Sequence, residues 1–226
     1  MSLFAFIHGA GDVGWYWHLV EAELRARGHR TITPDLPIED DSAGLRKYAD
    51  VVVAAVDGGR DVIVVGQSFG GYVAPIVAEH VDARLIVLVA GMVPAPHESA
   101  ETMFETTGWH PERVEDNSTS ALFYHDVSPE LASEAMRRGR PQSETPGKQA
   151  WPLDAWPTVP TRFILCRNDR FFPPTWLRPL VHARLGLAPD ELDSGHCPAL
   201  SQPQELARRL VAYAENMSPR PHPTMR

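Results

Sequence analysis

The sequence predicts an α/β fold in which a parallel β-sheet is covered by helices, and two observations lead to that prediction. Short apolar segments rich in β-branched residues alternate along the chain with longer segments of helical periodicity. This alternation is typical of repeated strand and helix units. The chain has 226 residues, of which 43% are hydrophobic, so it is long enough to bury a sizeable core in a single enzyme domain.

Five segments have the composition of buried strands, and three of the stretches between or after them have that of amphipathic helices. We predict strands over residues 3–7, 29–33, 62–65, 85–89 and 162–166. We predict helices over residues 16–27, 43–56 and 202–213. Apolar strands separated by helices imply a parallel sheet that is buried on both faces.

A serine follows one of these strands directly. Ser68 is the central residue of a Gly-Gln-Ser-Phe-Gly stretch at residues 66–70, between the apolar run 62–65 and helix-compatible residues. A strand, a sharp turn and a helix in this order hold a serine in strained backbone geometry with its hydroxyl above the sheet, and the flanking glycines provide room. The pattern predicts Ser68 as a nucleophile, and the alternative is a glycine-rich turn that carries an ordinary exposed serine.

A nucleophilic serine needs donors that hold the negative charge on the substrate oxygen. The first strand runs into His8 and the small residues 9–11, which let backbone amides approach a substrate closely. We expect the amide of Ala10 to be one donor. The second is the amide of Phe69, which follows the nucleophile at a helix N-terminus. His8 itself is expected to shape the loop rather than to transfer a proton.

Two downstream loops supply an acid and a base. Asp169 follows the strand at 162–166, and His196 lies on a loop with Gly and Pro just before the helix predicted at 202–213. The order Ser68, Asp169, His196 is expected when nucleophile, acid and base are carried on successive strand ends of one sheet. We therefore predict His196 as the general base and Asp169 as the acid that orients it.

Other reactive side chains near these loops offer alternatives. Asp193 is a rival acid, but it lies three positions from His196 on the same loop and is poorly placed to reach the far ring nitrogen. Asp35 follows a short strand pattern and is expected to anchor a turn. Cys197 neighbours His196, yet no nucleophile turn surrounds it, so Cys166 and Cys197 are both expected to be free thiols.

These motifs resemble the α/β-hydrolase superfamily over nearly the whole chain. Within it, residues 8–17, 27–30, 34–36, 169–172 and 195–196 resemble the group that contains plant methylesterases, hydroxynitrile lyases and bacterial esterases. The resemblance implies an α/β-hydrolase fold, a mostly parallel sheet flanked by helices with a helical cap. It also implies a triad of Ser68, Asp169 and His196, with oxyanion donors Ala10 and Phe69. One departure is Gln67, where the family usually has His.

Two further departures separate hydrolases from lyases in this group. The lyases are known for a threonine just after the first histidine and for a lysine in the pocket, whereas this chain has Gly9 and its lysines are Lys47 and Lys148. The sequence therefore predicts a carboxylesterase that cleaves a small to medium ester. The alternatives are a thioesterase or carbon-carbon bond hydrolase with the same triad, a hydroxynitrile lyase, and a ligand-binding protein of this fold.

The stretch 92–157 has no strong strand signal and is too long for a simple loop. We expect it to form a helical cap, inserted between residues 1–91 and 158–217 of an α/β-hydrolase core. The tail at 218–226 has no core pattern and is expected to be disordered.

Charge and composition limit the kinds of partner that this protein can have. A net charge of -8 argues against nucleic acid, which would need a basic face. The chain has no apolar run long enough to cross a membrane, and the first strand pattern leaves no space for a secretory signal, so we expect a cytoplasmic protein. No metal-ligand spacing or phosphate-binding glycine loop occurs, so we expect neither metal nor cofactor. The expected partner is a small-molecule ester, and a homodimer is left open.

Overall fold

A computed structural model describes residues 1–217, which form a six-stranded sheet with helices on both faces. All neighbouring strands are parallel, and their spatial order is β2-β1-β3-β4-β5-β6. The strands are β1 (Leu3–Ile7), β2 (Arg30–Ile32), β3 (Val62–Gln67), β4 (Ala83–Val89), β5 (Thr161–Cys166) and β6 (Asp190–Leu192). The predicted parallel sheet is therefore confirmed, whereas the tail predicted at 218–226 lies outside the described residues.

Ten α-helices are described, preceded by a 3-10 turn at Gly14–Trp17. They are α1 (His18–Ala26), α2 (Leu45–Val56), α3 (Gly70–His80), α4 (Ala100–Thr107), α5 (Thr119–Phe123), α6 (Pro129–Arg138), α7 (Thr145–Lys148), α8 (Pro174–Leu185), α9 (Pro198–Ser201) and α10 (Pro203–Glu215). Within residues 1–217, no helix combines the length and the apolar character that a bilayer span requires.

The ends of the sheet differ from the sequence prediction. The strand predicted at 29–33 is shorter, Arg30–Ile32, because it lies at the edge, pairs only with β1 and is soon followed by Pro34, which lacks an amide donor. The opposite edge strand β6 has no counterpart among the predicted strands. Two of its three residues are Asp190 and Glu191, so the segment lacks the apolar pattern of a buried strand. It forms a strand because it pairs with β5.

Alternation along the strands divides the core into two layers. In β3, Val62 and Val64 pack under α2, α3 and α8, whereas Ile63 and Val65 pack under α1 and α10 on the opposite face. Successive side chains of a strand point to opposite faces, so a run of apolar residues can fill both layers at once. The continuous apolar runs of the sequence are thus explained by burial on both sides.

The segment between β4 and β5 contains α4 to α7 and no strand. Three of these helices begin at a serine whose hydroxyl accepts a hydrogen bond from an amide of the first turn: Ser99, Ser118 and Ser128. Such N-caps satisfy amides that have no partner inside the helix. Short helices with polar N-caps explain why this stretch lacks the long apolar periodicity of the core helices.

Because all strands are parallel, their carboxyl ends lie at the same edge of the sheet. The loops after β1, β3, β5 and β6 leave the sheet there, and they carry residues 8–12, 68–69, 169–172 and 193–197. Open α/β sheets bind ligands at this edge. The fold thus assembles all five residues predicted for catalysis from four different loops.

A matched pair of Val→Ala substitutions tests this architecture. Val64 is completely buried at the middle of the sheet, whereas Val53 on α2 is only partly buried. We expect Val64→Ala to lower the free energy of unfolding by roughly 1–3 kcal/mol, because the removed methyl groups leave a cavity that the sheet cannot close. Val53→Ala should change it by less than about 1 kcal/mol. Urea denaturation would measure both, and equal losses would contradict the assignment of the core.

Candidate active site

Ser68 lies on a sharp turn between β3 and α3 and has a left-handed backbone conformation with φ of 52°. Three main-chain hydrogen bonds hold the turn. The Ser68 amide donates to the carbonyl of Val89 at 3.2 Å, and the Ser68 carbonyl accepts from the amides of Gly71 at 3.0 Å and Met92 at 2.9 Å. A non-glycine residue in this region is strained, and its neighbours must compensate the cost.

The flanking glycines leave space for this turn. A Cβ atom on Gly66 would lie 2.5 Å from the carbonyl oxygen of Gly70, and a Cβ on Gly70 would lie 2.7 Å from that of Ile7. Both distances are far below a van der Waals contact. The expectation that glycines make room around Ser68 therefore has a direct steric basis, which is the close approach of β1, β3 and α3.

His196 and Asp169 form a buried pair beside the turn. His196 Nδ1 and Asp169 Oδ2 are 2.8 Å apart, and the residues are 2% and 1% exposed. The other oxygen, Asp169 Oδ1, accepts hydrogen bonds from the amides of Phe171 at 2.9 Å and Phe172 at 2.8 Å. Amide donors of this kind stabilise an ionised carboxylate and fix its orientation.

Three aromatic rings hold the imidazole in place. Phe123, Phe171 and Phe172 meet the His196 ring edge-on, with centroids 5.1, 5.4 and 5.1 Å away. The imidazole is thus held by apolar contacts around it and by Asp169 at Nδ1, which leaves Nε2 as the nitrogen that is available for proton transfer.

Ser68 and His196 line the same cavity of about 400 Å³. Among residues 1–217 no hydrogen bond joins the Ser68 hydroxyl to His196, so the structure brings the two side chains to one cavity without a direct contact. Catalytic hydrogen bonds are often long or poorly aligned until a substrate is bound.

Ala10 belongs to the loop after β1, and Phe69 follows Ser68 directly on the turn. Both residues and Ser68 border a second cavity of about 280 Å³, whose other walls are largely apolar. Within the part of the chain that the structure describes, neither amide donates a hydrogen bond to another residue. Two amides without partners beside a serine are able to stabilise a developing oxyanion.

Two residues that the sequence analysis did not assign to catalysis hold the His196 loop. Gln67 Nε2 donates to the carbonyl of His196 at 3.1 Å, and Asp126 Oδ2 accepts from the amide of Gly195 at 2.6 Å. The sequence analysis identified Gln67 only as a departure from the family pattern next to Ser68. Asp126 lies between α5 and α6, 69 residues away from Gly195 in sequence, and no local pattern marks it.

The remaining candidates have structural contacts. His8 Nε2 accepts from the amide of Leu36 at 3.1 Å, while its Nδ1 lies 2.9 Å from the carbonyl of Gly9. Burial lowers the pKa of His8 to about 4, so the ring is neutral and braces the loop. Asp35 accepts from the amide of Gly14 at 2.7 Å and anchors that turn.

Asp193, the rival acid, accepts a hydrogen bond at 2.9 Å from the side-chain amide of Asn168. The carboxylate in contact with His196 is that of Asp169. Cys166 and Cys197 are buried free thiols, and burial raises the pKa of both well above the usual value, which keeps them protonated at neutral pH. Residues 1–217 contain no group of three or more His, Cys, Asp or Glu side chains placed to hold a metal ion.

Known proteins resemble this chain over nearly its whole length. Norfluorocurarine synthase 1 from Strychnos is 25% identical over 95% of this chain and 96% of its own length. Methylesterase 2 from Arabidopsis thaliana is 25% identical over 94% of this chain and 96% of its own length. The crystal structure of a methylesterase from Arabidopsis superimposes with a TM-score of 0.78 at 19% identity, covering 96% of this chain and 100% of that one.

The predicted resemblance to the methylesterase group is therefore confirmed. The sequence model of the alpha/beta hydrolase family matches residues 4–209, which include the five residues predicted for catalysis, strands β2 to β6 and all of β1 except Leu3. The protein belongs to the alpha/beta hydrolase family.

Proposed function

We propose that this protein is a carboxylesterase that works through a serine acyl-enzyme, with Ser68, His196 and Asp169 as its catalytic triad. One observation carries the proposal: Ser68 on its strained turn borders the same cavity as His196, whose Nδ1 is 2.8 Å from Asp169. The full-length similarity to a methylesterase supports an ester as the substrate.

In the first half of the reaction, Ser68 Oγ attacks the carbonyl carbon of the ester while His196 Nε2 takes the hydroxyl proton. The tetrahedral intermediate collapses when its carbon-oxygen bond to the alcohol breaks. His196 then returns the proton to the departing alcohol, leaving the acid part of the substrate bound to Ser68 as an ester. Asp169 stabilises the imidazolium and keeps Nε2 directed at the reacting atoms.

In the second half, a water molecule takes the place of the alcohol. His196 removes a proton from the water, the hydroxide attacks the acyl carbon, and the bond to Ser68 breaks as His196 gives the proton back to Oγ. The net reaction is ester plus water to carboxylic acid plus alcohol.

The amides of Ala10 and Phe69 are the proposed oxyanion donors in both halves. Phe69 immediately precedes α3, so its amide also benefits from the positive end of the helix dipole. Loss of one such donor typically lowers the rate by about 10²–10³. Two donors on a rigid turn are therefore a large part of the catalytic effect.

The two cavities suggest where each half of the ester binds. His196 must reach the oxygen of the leaving alcohol, and it lines only the cavity of about 400 Å³, so we assign that cavity to the alcohol. The cavity of about 280 Å³ shares Ala10 and Ser68 but is walled by Met92, Phe104 and other apolar residues. We assign it to the acyl group, and its size fits a small to medium acid.

The segment 92–157 is proposed to act as a cap. Residues from α4, α5 and α6 line the two cavities, and Asp126 binds the amide of Gly195 next to the proposed base. The segment would thus exclude water from the reacting groups and position the His196 loop at the same time.

The surroundings of Gly9 support a hydrolase rather than a lyase. A Cβ atom at this position would lie 2.5 Å from Gln67 Oε1 and 3.1 Å from Ser68 Cβ. The threonine for which the lyases of this group are known would need a different arrangement of Gln67. In this chain Gln67 occupies that space and its side chain donates to the His196 loop. Glycine at position 9 and glutamine at position 67 are therefore compatible with each other.

The catalytic proposal predicts that Ser68→Ala lowers the hydrolysis of p-nitrophenyl butyrate by at least about 10³-fold, because no other group can form the acyl-enzyme. The folded state should be retained, which circular dichroism would check. A fluorophosphonate should add to the wild type once, at Ser68, as measured by peptide mass spectrometry. Turnover that persists in Ser68→Ala, or labelling at another residue, would contradict the mechanism.

Asp126→Ala tests the link between the segment 92–157 and the His196 loop. The substitution leaves the Gly195 amide without its acceptor, so we expect a loss of roughly 1–3 kcal/mol in the free energy of unfolding. We also expect kcat to fall more than KM changes, because the base is displaced. Asp50→Ala, at an exposed carboxylate on α2, is the matched control. Equal behaviour of the two variants would exclude a positioning role.

The assignment of the acyl cavity is tested with two Ala→Leu variants. Ala100 lines the smaller cavity and Ala135 the larger one. Because Ala100→Leu narrows the acyl side, the ratio of kcat/KM for p-nitrophenyl octanoate over butyrate should fall by about 10-fold. Ala135→Leu should leave this ratio unchanged, since the alcohol is the same in both esters. If instead Ala135→Leu lowers the ratio and Ala100→Leu does not, the acyl group binds in the larger cavity.

A further inference from the structure

Asp12 is an acidic side chain that borders the proposed catalytic site and has no role in the triad. It lies on the loop after β1 and lines the cavity of about 400 Å³ together with Ser68 and His196. A Cβ atom added to Gly9 would lie 3.1 Å from Ser68 Cβ and 3.6 Å from Asp12 Oδ2. The carboxyl and the nucleophile thus border the same small space.

The carboxyl of Asp12 has no hydrogen-bond donor among residues 1–217. Asp169, by comparison, is held by two amides and by His196. The Asp12 carboxyl is partly exposed to the cavity but otherwise surrounded by protein. This burial raises its pKa to about 7, while the proximity of His196 acts in the opposite direction. The oxygens of Asp12 are therefore available to a ligand.

The side chains around Asp12 are three neutral groups and one cation. Tyr16, Tyr124 and Cys197 are neutral, because burial raises the pKa of each well above the usual value. Arg140 is the cation on the wall of the cavity, and its guanidinium donates to the carbonyl of Leu36 at 2.9 Å and pairs with Glu39 at 3.5 Å. No cation among the described residues forms an ion pair with Asp12.

Aromatic rings complete the surroundings. Phe123 and Tyr124 line the same cavity as Asp12. A carboxylate beside aromatic rings is the chemistry that recognises ammonium groups, through charge and through the negative faces of the rings. The Asp12 carboxylate would offer a neutral alcohol no comparable attraction.

We propose that Asp12 is a specificity-determining residue that selects esters whose alcohol part carries an ammonium group. This inference rests on the proposed function, because only a serine esterase mechanism with His196 on the alcohol side places the leaving group next to Asp12. It names a substrate class, esters of amino alcohols, that the triad alone does not distinguish from other esters.

Two esters that differ only in charge provide the test. Choline butyrate carries a permanent ammonium, and 3,3-dimethylbutyl butyrate has a neutral carbon in its place. For the wild type at pH 8 we expect kcat/KM to be roughly 10-fold higher for the cationic ester. Asp12→Asn should reduce the ratio of the two values to near one, and Asp50→Asn, with the same change of charge at an exposed position, should retain it.

The pH dependence gives a second readout that needs no variant. Because the pKa of Asp12 is raised to about 7, its charge is present above that pH and lost below it. The preference for choline butyrate should therefore rise between pH 6 and pH 8. The two esters share the acyl group and the catalytic residues, so a pH effect on the chemical step that is common to both cancels in the ratio, and the quaternary ammonium of choline keeps its charge at every pH.

Failure of the inference is distinguishable from failure of the proposed function. If p-nitrophenyl butyrate is hydrolysed in a Ser68-dependent manner while the choline preference is absent, or is independent of Asp12 and of pH, the inference is overturned and the esterase stands. If Asp12→Asn lowers kcat/KM equally for both esters, Asp12 has a general structural role, and this result would also overturn the inference. Absence of any Ser68-dependent ester hydrolysis would overturn both proposals.

Discussion

The left-handed turn at Ser68 is the constraint on which the rest of the site depends. Its backbone is unfavourable for a residue with a side chain, yet hydrogen bonds to Val89, Gly71 and Met92 hold it on both sides. Those bonds exist because β3 is central in the sheet and α3 packs directly against it. The strain is thus supported by the most deeply buried part of the molecule, and this one turn carries both the Ser68 hydroxyl and the Phe69 amide.

The two carboxylates at the site show how surroundings set different roles. Asp169 is buried but receives two amide hydrogen bonds and contacts His196, so its geometry is fully determined by the protein. Asp12 borders the same region without a donor, and burial raises its pKa to about 7. Under our proposals, the first carboxylate orients the base and the second interacts with the substrate.

The proposed cap is more than a cover for the cavities. It contributes walls to both of them and, through Asp126, an acceptor for the loop that carries His196. Under our proposals, this segment determines both which ester enters and how the base is held. The two cavities share Ala10 and Ser68 but differ in lining, which gives the acid and alcohol halves of a substrate separate surroundings.

Much of this could be predicted from the sequence because the signals are local. An apolar run such as 62–65 predicts a buried strand, and a serine between glycines directly after it predicts the turn, since both depend on residues adjacent in the chain. The parallel sheet and the membership of the family follow from the same patterns. The edge strand β6 was missed because three residues with two acids have no hydrophobic pattern, and only pairing with β5 makes them a strand.

The sequence by itself determined five of the six strands, the turn at Ser68 and the chain order of the candidate triad. The tertiary structure alone decided which carboxylate contacts His196, that Asp126 and Gln67 hold its loop, and that Asp12 faces the same cavity as Ser68. The physical reason is that contacts between residues many positions apart depend on how loops converge at the carboxyl edge of the sheet. Burial, which raises the pKa of Asp12, is likewise a property of the packed molecule and not of any segment.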